Sequence, residues 1–334
     1  MQKRTTILFV LLAVLTLALF AVDMMVGSVE ITAREVWAAI SGGECDPIKS
    51  KIIIDVRLIK AIVAILAGSA LAVSGLQMQT LFRNPLAGPY VLGVSSGASL
   101  GVALFILGAP LMGWASSSAL SSLGVAGAAW IGSAAVLALV AAVSRRIKDI
   151  MVILILGMMI GSGVSAVVQI LQYLSHEEAL KSFVVWTMGS LGDVTASQLW
   201  LVGSAIIAGL VIAVAAIKPM NLLLLGEAYA RTMGLNIRRT RSLILLSTTL
   251  LAGTVTAFCG PVGFIGLAIP HLARIIFQNV DHRILLPAAA LTGAISLLLC
   301  DIISKLLTLP VNTITALLGI PIVVWVVIRN KNIA

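Results

Sequence analysis

The residues Gly93-Val94-Ser95-Ser96-Gly97 match G-x-S-x-G, the elbow that presents a serine nucleophile in many hydrolases. Such a serine needs a base within hydrogen-bond reach and a third group to orient that base. The three histidines, His176, His271 and His282, are all distant from Ser95 in the chain. The elbow also needs a strand-to-helix turn, whereas this motif lies in an apolar run that begins near Tyr90. Packing explains the letters better. Gly93, Gly97 and Gly101 recur every four residues and would share one helix face, where a neighbouring backbone can come close. Gly157, Gly161 and Ser165 repeat the device further along.

Other reactive patterns are missing. No G-x-x-x-x-G-K-[ST] occurs, so this chain has no P-loop to cradle nucleotide phosphates. No H-E-x-x-H occurs, and Cys45, Cys259 and Cys300 show neither disulfide nor metal spacing. The expectation is a protein with no catalytic residue, no metal ligand set and no cofactor of its own.

The elements that hold these residues follow from composition. Of 334 residues, 60% are hydrophobic and 10% charged, with mean hydropathy +1.12. A soluble chain carries about 25% charged residues, so most of this one must face lipid or other helices. Ten apolar runs are long enough to cross a bilayer or nearly so. They are Thr6–Val26, Lys60–Phe82, Tyr90–Ala109, Leu120–Val143, Ile150–Tyr173, Gln198–Ile217, Ser242–Cys259, Val262–Phe277, Leu285–Leu307 and Val311–Ile328. The eighth is short and contains Gly266 and Pro270, which predicts a bent or partly spanning segment. Lys3 and Arg4 ahead of the first run would also suit a cleaved signal peptide. That run, however, is long for a signal and lacks a small-x-small site, so a retained helix is expected. The fold class is an all-α polytopic membrane protein of about ten transmembrane helices, one membrane domain over residues 1–334.

Charge orients it. With both termini inside, the inner side collects Lys3, Arg4, Arg83, Arg145, Arg146, Lys148, Lys218, Arg231, Arg238, Arg239, Arg241, Arg274, Arg283, Arg329 and Lys331. The outer side holds Arg34, Lys49, Lys51, Arg57, Lys60, Lys181 and Lys305. The excess of basic residues at one end follows the positive-inside rule and predicts cytoplasmic termini. The net charge of +9 therefore reflects topology and implies no nucleic-acid partner.

Three hydrophilic stretches remain: outer loops at 27–57 and 174–196 and an inner loop at 218–241. Thr32-Ala33-Arg34-Glu35 in the first has the form of a capping box, and the second is amphipathic enough for a short surface helix. In the inner loop, small Ala228 and Ala230 would let a helix approach a partner, and Gly234 suits a helix C-terminus. On the residues alone, a solvated basic loop explains that stretch equally well. LAGSALAVSG (66–75) and LAGTVTAFCG (251–260) agree at five of ten positions, and the two would run in opposite directions across the membrane. That is the signature of an inverted repeat, an architecture common among transporters.

Several of these pieces, taken in order, resemble the FecCD/BtuC-type permease family, the membrane subunits of importers for iron–siderophore, haem and vitamin B12. They are RNPLAGPYVLGVSSGASLG, WTMGSL, GEAYARTMGL, GPVGFIGLAIPHLAR, DHRILLPAAALTGA and the late GIP, spread over most of the chain from Arg57 onward. The resemblance implies ten helices per subunit in a bacterial cytoplasmic membrane and a homodimer with the transport path at its interface. Two ABC ATPase subunits, holding ATP and magnesium, would dock inside, and a substrate-binding protein outside. Gly226, Glu227, Ala228, Ala230, Arg231 and Gly234 match the family's ATPase-coupling loop. Arg57, Lys60 and Lys305 match basic positions that meet acidic residues of the binding protein. Two of these three are lysine here, which keeps the charge but loses the bidentate fork, and lysines snorkelling to the interface would look the same. Thr308 and Asn312 also stand where relatives often have Glu and Gly. The rival reading, an ion-gradient-driven secondary transporter, calls for ionisable groups at mid-membrane. Only Asp301, near the middle of the ninth run, qualifies.

The topology is testable in intact cells with a membrane-impermeant thiol reagent. A cysteine placed at Ile147 should stay unlabelled and one at Leu180 should react; the opposite pattern would invert the orientation.

Overall fold

The computed structural model describes residues 2–108, 122–144, 147 and 149–329, and every regular element among them is a helix. Lipid offers no water to backbone groups, so helices, which satisfy those groups internally, are what can cross it. Among the described residues seven helices are long and apolar enough to span a membrane, and three shorter apolar ones bring the number to ten. Arg145, Arg146 and Lys148 lie outside the described residues, as do Ala109 to Ser121 and the last five positions.

In chain order, α1 (Gln2–Met25) leads to the short helices α2 (Ala33–Ser41) and α3 (Pro47–Lys51). α3 runs through a π-helical turn at Ile52–Leu58 into α4 (Ile59–Phe82). Much of the stretch expected as an outer loop at 27–57 is therefore helical, and its last part extends α4 outward. α2 opens with the capping box: Thr32 N–H donates to Glu35 at 2.8 Å, and Glu35 N–H donates to Thr32 Oγ1 at 3.4 Å. Lys49, 2.6 Å from Glu35, acts with Thr32 to hold the Glu35 carboxyl down at about 2.

Beyond α4 the backbone is irregular as far as Gly93, whose left-handed φ of 78° starts α5 (Val94–Ile106). Next come α6 (Ser122–Ser144), α7 (Ile150–Leu174), the short α8 (Glu177–Thr187) and α9 (Ala196–Ala215). At the opposite end of the bundle from α8, α10 (Ile217–Leu224) and α11 (Glu227–Thr232) precede α12 (Ile237–Thr248). α12 continues through a second π turn, Thr249–Gly253, into α13 (Thr254–Cys259). The chain ends with α14 (Ile265–Phe277), α15 (His282–Leu307) and α16 (Val311–Arg329).

α5 and α14 are both half-helices. Each has 13 residues, about 20 Å at 1.5 Å per residue, against a hydrocarbon core of about 30 Å. The eighth segment is partly spanning, as expected. The third is shorter than its apolar run, because helix begins only at Val94. Gly93 thus lies ahead of the helix and does not share a face with Gly97 and Gly101. Each copy of the repeated LAG sequence sits in a long helical run that leads, through irregular backbone, into one of the two half-helices.

Between helices in lipid there is no hydrophobic gain to exploit, so close packing must hold them together. α4, buried along nearly its whole length, packs on α14 and α15. Gly68 meets Gly293 and Gly75 meets Gly266 so closely that a Cβ at any of the four would overlap a facing backbone carbonyl. The expected glycines pack as well. A Cβ at Gly97 would lie 2.5 Å from the Gly132 carbonyl of α6, and one at Gly101 would overlap that of Ala128. Gly157 and Gly161 of α7 instead receive the turn before α5, with Gly157 against Leu92 and Gly161 against Gly93.

Overfilling such a contact costs about 1–3 kcal/mol. Gly101→Ala should therefore lower the thermal unfolding midpoint in detergent, whereas Gly127→Ala, whose added methyl meets no other helix, should not lower it.

Candidate functional site

One end of the bundle carries a short projecting unit. Gly226, with φ of 100°, turns the chain out of α10 into α11, and Ala230 N–H closes the first turn onto the Gly226 carbonyl at 2.9 Å. Glu227 accepts from Arg241 of α12 at 2.6 Å and faces Arg231 at 3.9 Å, so α11 is clamped to the helix that follows. Gly234 N–H donates to the Arg231 carbonyl and Leu235 N–H to that of Ala230, both at 3.0 Å. This is a Schellman ending, and it requires the φ of 82° that Gly234 adopts.

The two alanines differ. Ala228 is exposed, while Ala230 is fully buried against the chain's own core, so it seats α11 on its own subunit. What α11 presents outward is apolar and basic: Tyr229 is 56% and Met233 55% exposed, beside exposed Arg231. No spacing rule pointed to Tyr229 and Met233; their exposure appears only once the turn is folded. A cavity of about 450 Å³ lies behind the unit, with Arg231, Arg238 and Arg241 on one wall and Phe82, Leu92 and Ile150 among the others. Arg83, in left-handed conformation at the end of α4, reaches the same place: a Cβ on Gly226 would lie 3.6 Å from its guanidinium.

At the other end, Arg57, Lys60 and Lys305 come together, but they face inward. Arg57 is 4% exposed, and its guanidinium donates to the carbonyls of Met24 (2.9 Å), Met25 (2.7 Å) and Val29, capping the last turn of α1. Gly27 leaves it room, since a Cβ there would lie 2.8 Å from the guanidinium. Lys305 bridges Asp23 of α1 at 2.8 Å and Asp301 at 2.9 Å; Lys60 reaches Asp301 at 2.9 Å. Both carboxylates are fully buried. Asp301 lies six residues from the end of α15, nearer that end than the mid-membrane position expected for it, and it has two cationic partners. Of the three basic residues, Lys60 is the most reachable, with 21% of its side chain exposed on a cavity of about 300 Å³ shared with Ser190, Asp193, Asp301 and Ser304.

The two departures at the end of α15 have structural work. Thr308 takes the left-handed C-cap at φ 54°, and Asn312 Oδ1 accepts Gly263 N–H at 2.9 Å, pinning the irregular backbone ahead of α14. Ser95 and Ser96 lie in the first turn of α5. Ser96 Oγ faces Ser165 Oγ at 3.4 Å, with no strand leading into the motif among the described residues. His271 is bound to the Pro85 carbonyl at 2.8 Å, and the three cysteines are unpaired. Among the described residues no group of three or more His, Cys, Asp or Glu could hold a metal ion.

Removing one partner of a buried ion pair costs about 3–5 kcal/mol. Lys305→Met should thus reduce the yield of folded protein and its unfolding midpoint in detergent, and Asp23→Asn in the same chain should restore part of the loss.

Comparison with known proteins agrees with this geometry. The FecCD transport family model matches residues 14–329. The chain is 36% identical over 335 residues to the hemin transport system permease protein HmuU of Yersinia pestis, covering 99% of this chain and 97% of that one. It is 38% identical over 281 residues to the vitamin B12 import system permease protein BtuC of Salmonella arizonae, covering 82% of each. A solved structure, described as an inward-facing conformation of a metal-chelate type ABC transporter, superposes with TM-score 0.83 at 30% identity and covers 96% of this chain and 99% of that one. With ten apolar helices, paired-glycine packing and a family match across nearly its whole length, this chain is a multi-pass membrane protein that belongs to the FecCD transport family.

Proposed function

We propose that the chain is the permease subunit of a binding-protein-dependent ABC importer for a ferric chelate, haem or cobalamin. The observation that carries this reading is the α11 unit. It is a short helix clamped by Glu227–Arg241, ended by Gly234, and presenting Tyr229, Arg231 and Met233 outward at the basic end of the bundle. A soluble ATPase needs a rigid projection to grip, and this one is held by the Schellman turn at its C-terminal end, by the Glu227–Arg241 bridge and by buried Ala230.

Two copies of the chain would enclose the path, two ATPases would seat on their α11 units, and a binding protein would cover the outer cavities. ATP and magnesium belong to the ATPases, and this chain binds no cofactor. Both termini would be cytoplasmic, because the end of the bundle that holds Arg4, Arg83 and the α11 arginines also carries the basic excess. ATP binding would draw the α11 units together and re-pack the helices between outward and inward access. Lys60 is the residue best placed to meet an acidic group of the binding protein, with Arg57 and Lys305 holding the surface behind it. A gradient-driven transporter is disfavoured by Asp301, whose fully buried carboxylate is already bridged by Lys60 and Lys305.

Co-expression with an ABC ATPase and a binding protein, followed by reconstitution, should give uptake that depends on internal ATP. The binding protein's affinities across ferric siderophores, haem and cobalamin would name the cargo. Forcing a β-branched residue into the φ of Gly234 costs on the order of 1 kcal/mol or more. Gly234→Val should therefore insert normally, lose uptake and co-purify less ATPase. Full uptake by Gly234→Val would remove α11 from the coupling role.

A further inference from the structure

A buried side-chain network ties the segment just ahead of α11 to the central helix. Asn221 lies on α10, five residues before Gly226. Its Nδ2 donates to Asp281 Oδ1 at 2.6 Å, and its Oδ1 accepts the backbone N–H of His282 at 2.9 Å. Those two bonds fix the amide: a carboxylate can only accept, and a backbone N–H can only donate. His282 Nδ1 lies 2.7 Å from the same Oδ1, so Nδ1 carries the hydrogen. The other ring nitrogen, Nε2, is 2.8 Å from Thr80 Oγ1 in the last turn of α4. With the ring neutral, Nε2 accepts, and the Thr80 hydroxyl must choose between it and the Leu76 carbonyl, 2.9 Å away on its own helix.

His282 and Thr80 are 1% and 4% exposed, so these bonds are not shared with water. Asp281 is the N-cap of α15, and its carboxyl is held below the usual carboxylate range by the Arg283 N–H and by Asn221. Nearby, Arg274 of α14 donates to Gln79 Oε1 at 2.6 Å, while Gln79 Nε2 donates to the Leu267 carbonyl at 3.0 Å, so the residue beside Thr80 is tied to α14 as well. Apolar contacts let helices slide over one another at little cost. Directional hydrogen bonds between three elements fix their register.

We propose that Asn221, His282 and Thr80 form a relay that transmits displacement of the α10–α11 unit into α4 and α15, with His282 as the positioning residue at its centre. The inference rests on the permease reading. Its chemistry explains why polar groups are kept in a site where leucine and valine would pack without desolvation cost. A displaced α11 pulls α10, Asn221 pulls the N-terminus of α15, and the imidazole passes the pull to the end of α4. α4 carries Gly68 and Gly75, whose backbone contacts hold α15 and α14.

The test measures uptake and ATP hydrolysis in the same vesicles, using the full complex with its ATPase and binding protein. Thr80→Val removes one hydroxyl at nearly constant shape. His282→Asn keeps a donor for Asn221 but cannot reach Thr80, and Thr80→Ser keeps the hydroxyl. Uptake per ATP hydrolysed should fall about fivefold to tenfold in Thr80→Val and in His282→Asn, the scale of one or two buried hydrogen bonds. ATPase co-purification and hydrolysis should hold near wild type, and Thr80→Ser should restore the ratio. The double variant should be no worse than the poorer single one, because both cut the same link. An unchanged ratio in inserted Thr80→Val, or losses that multiply in the double variant, would overturn the relay. If His282→Asn does not insert, Thr80→Val against Thr80→Ser decides alone. A wild-type complex that hydrolyses ATP without uptake would instead count against the permease reading, and the two failures are thereby distinguished.

Discussion

Backbone-to-backbone contact at glycine governs this fold. A helix in lipid gains nothing by hiding leucine from its surroundings, so adhesion must come from the number of atoms in van der Waals range. Gly68 against Gly293 and Gly75 against Gly266 bring α4 into backbone-to-backbone contact with α15 and α14. Every other assignment in the bundle leans on that arrangement. The ends of α4 and α15 lie where they do because their middles touch, and so Lys60 meets Asp301 at one end and Thr80 meets His282 at the other.

The two ends of the bundle solve the problem of polar groups differently. At the Lys305 end, charges are buried and neutralised, with Arg57 spent on the carbonyls that α1 leaves unpaired. At the α11 end, Arg231 and the Tyr229 ring stay at the surface, and Ala230 is the buried anchor. A surface left open in this way suits recognition by a partner, whereas the Lys305 cluster suits cohesion.

The spans were legible in the sequence because apolar runs near twenty residues have few other uses. The Schellman turn was legible because Gly234 follows a short helical stretch. The glycine face at Gly97 and Gly101 could be read from its spacing of four, but its partner in α6 could not; the contacts of Gly68, Gly75 and Gly293, and the packing role of Gly266, were hidden because each meets a residue of another helix. The start of α5 was misplaced because the letters from Tyr90 to Val94 are as apolar as those that follow; only the φ of Gly93 sets the boundary. Arg57, Lys60 and Lys305 were visible as charges on the disfavoured side, yet their counterions, Asp23 and Asp301, lie on other helices or a turn away, and linear distance conceals such pairing. The side-chain relay was equally invisible, since Asn221, His282 and Thr80 share no motif.

The bridge between Asp23 and Lys305 has a consequence for biogenesis. Lys305 is made 282 residues after its partner, which at ribosomal speeds of about 5–20 residues per second is a delay of roughly 15–60 s. Throughout that interval Arg57, whose guanidinium holds the end of α1, is the cation nearest Asp23, and little of the apolar surface of α1 is covered even in the finished protein. α1 is then fastened at one end only, through Arg57, until α15 arrives and Lys305 bridges Asp23 to Asp301. α1, made well before α15, is therefore among the last helices of the bundle to be fully locked.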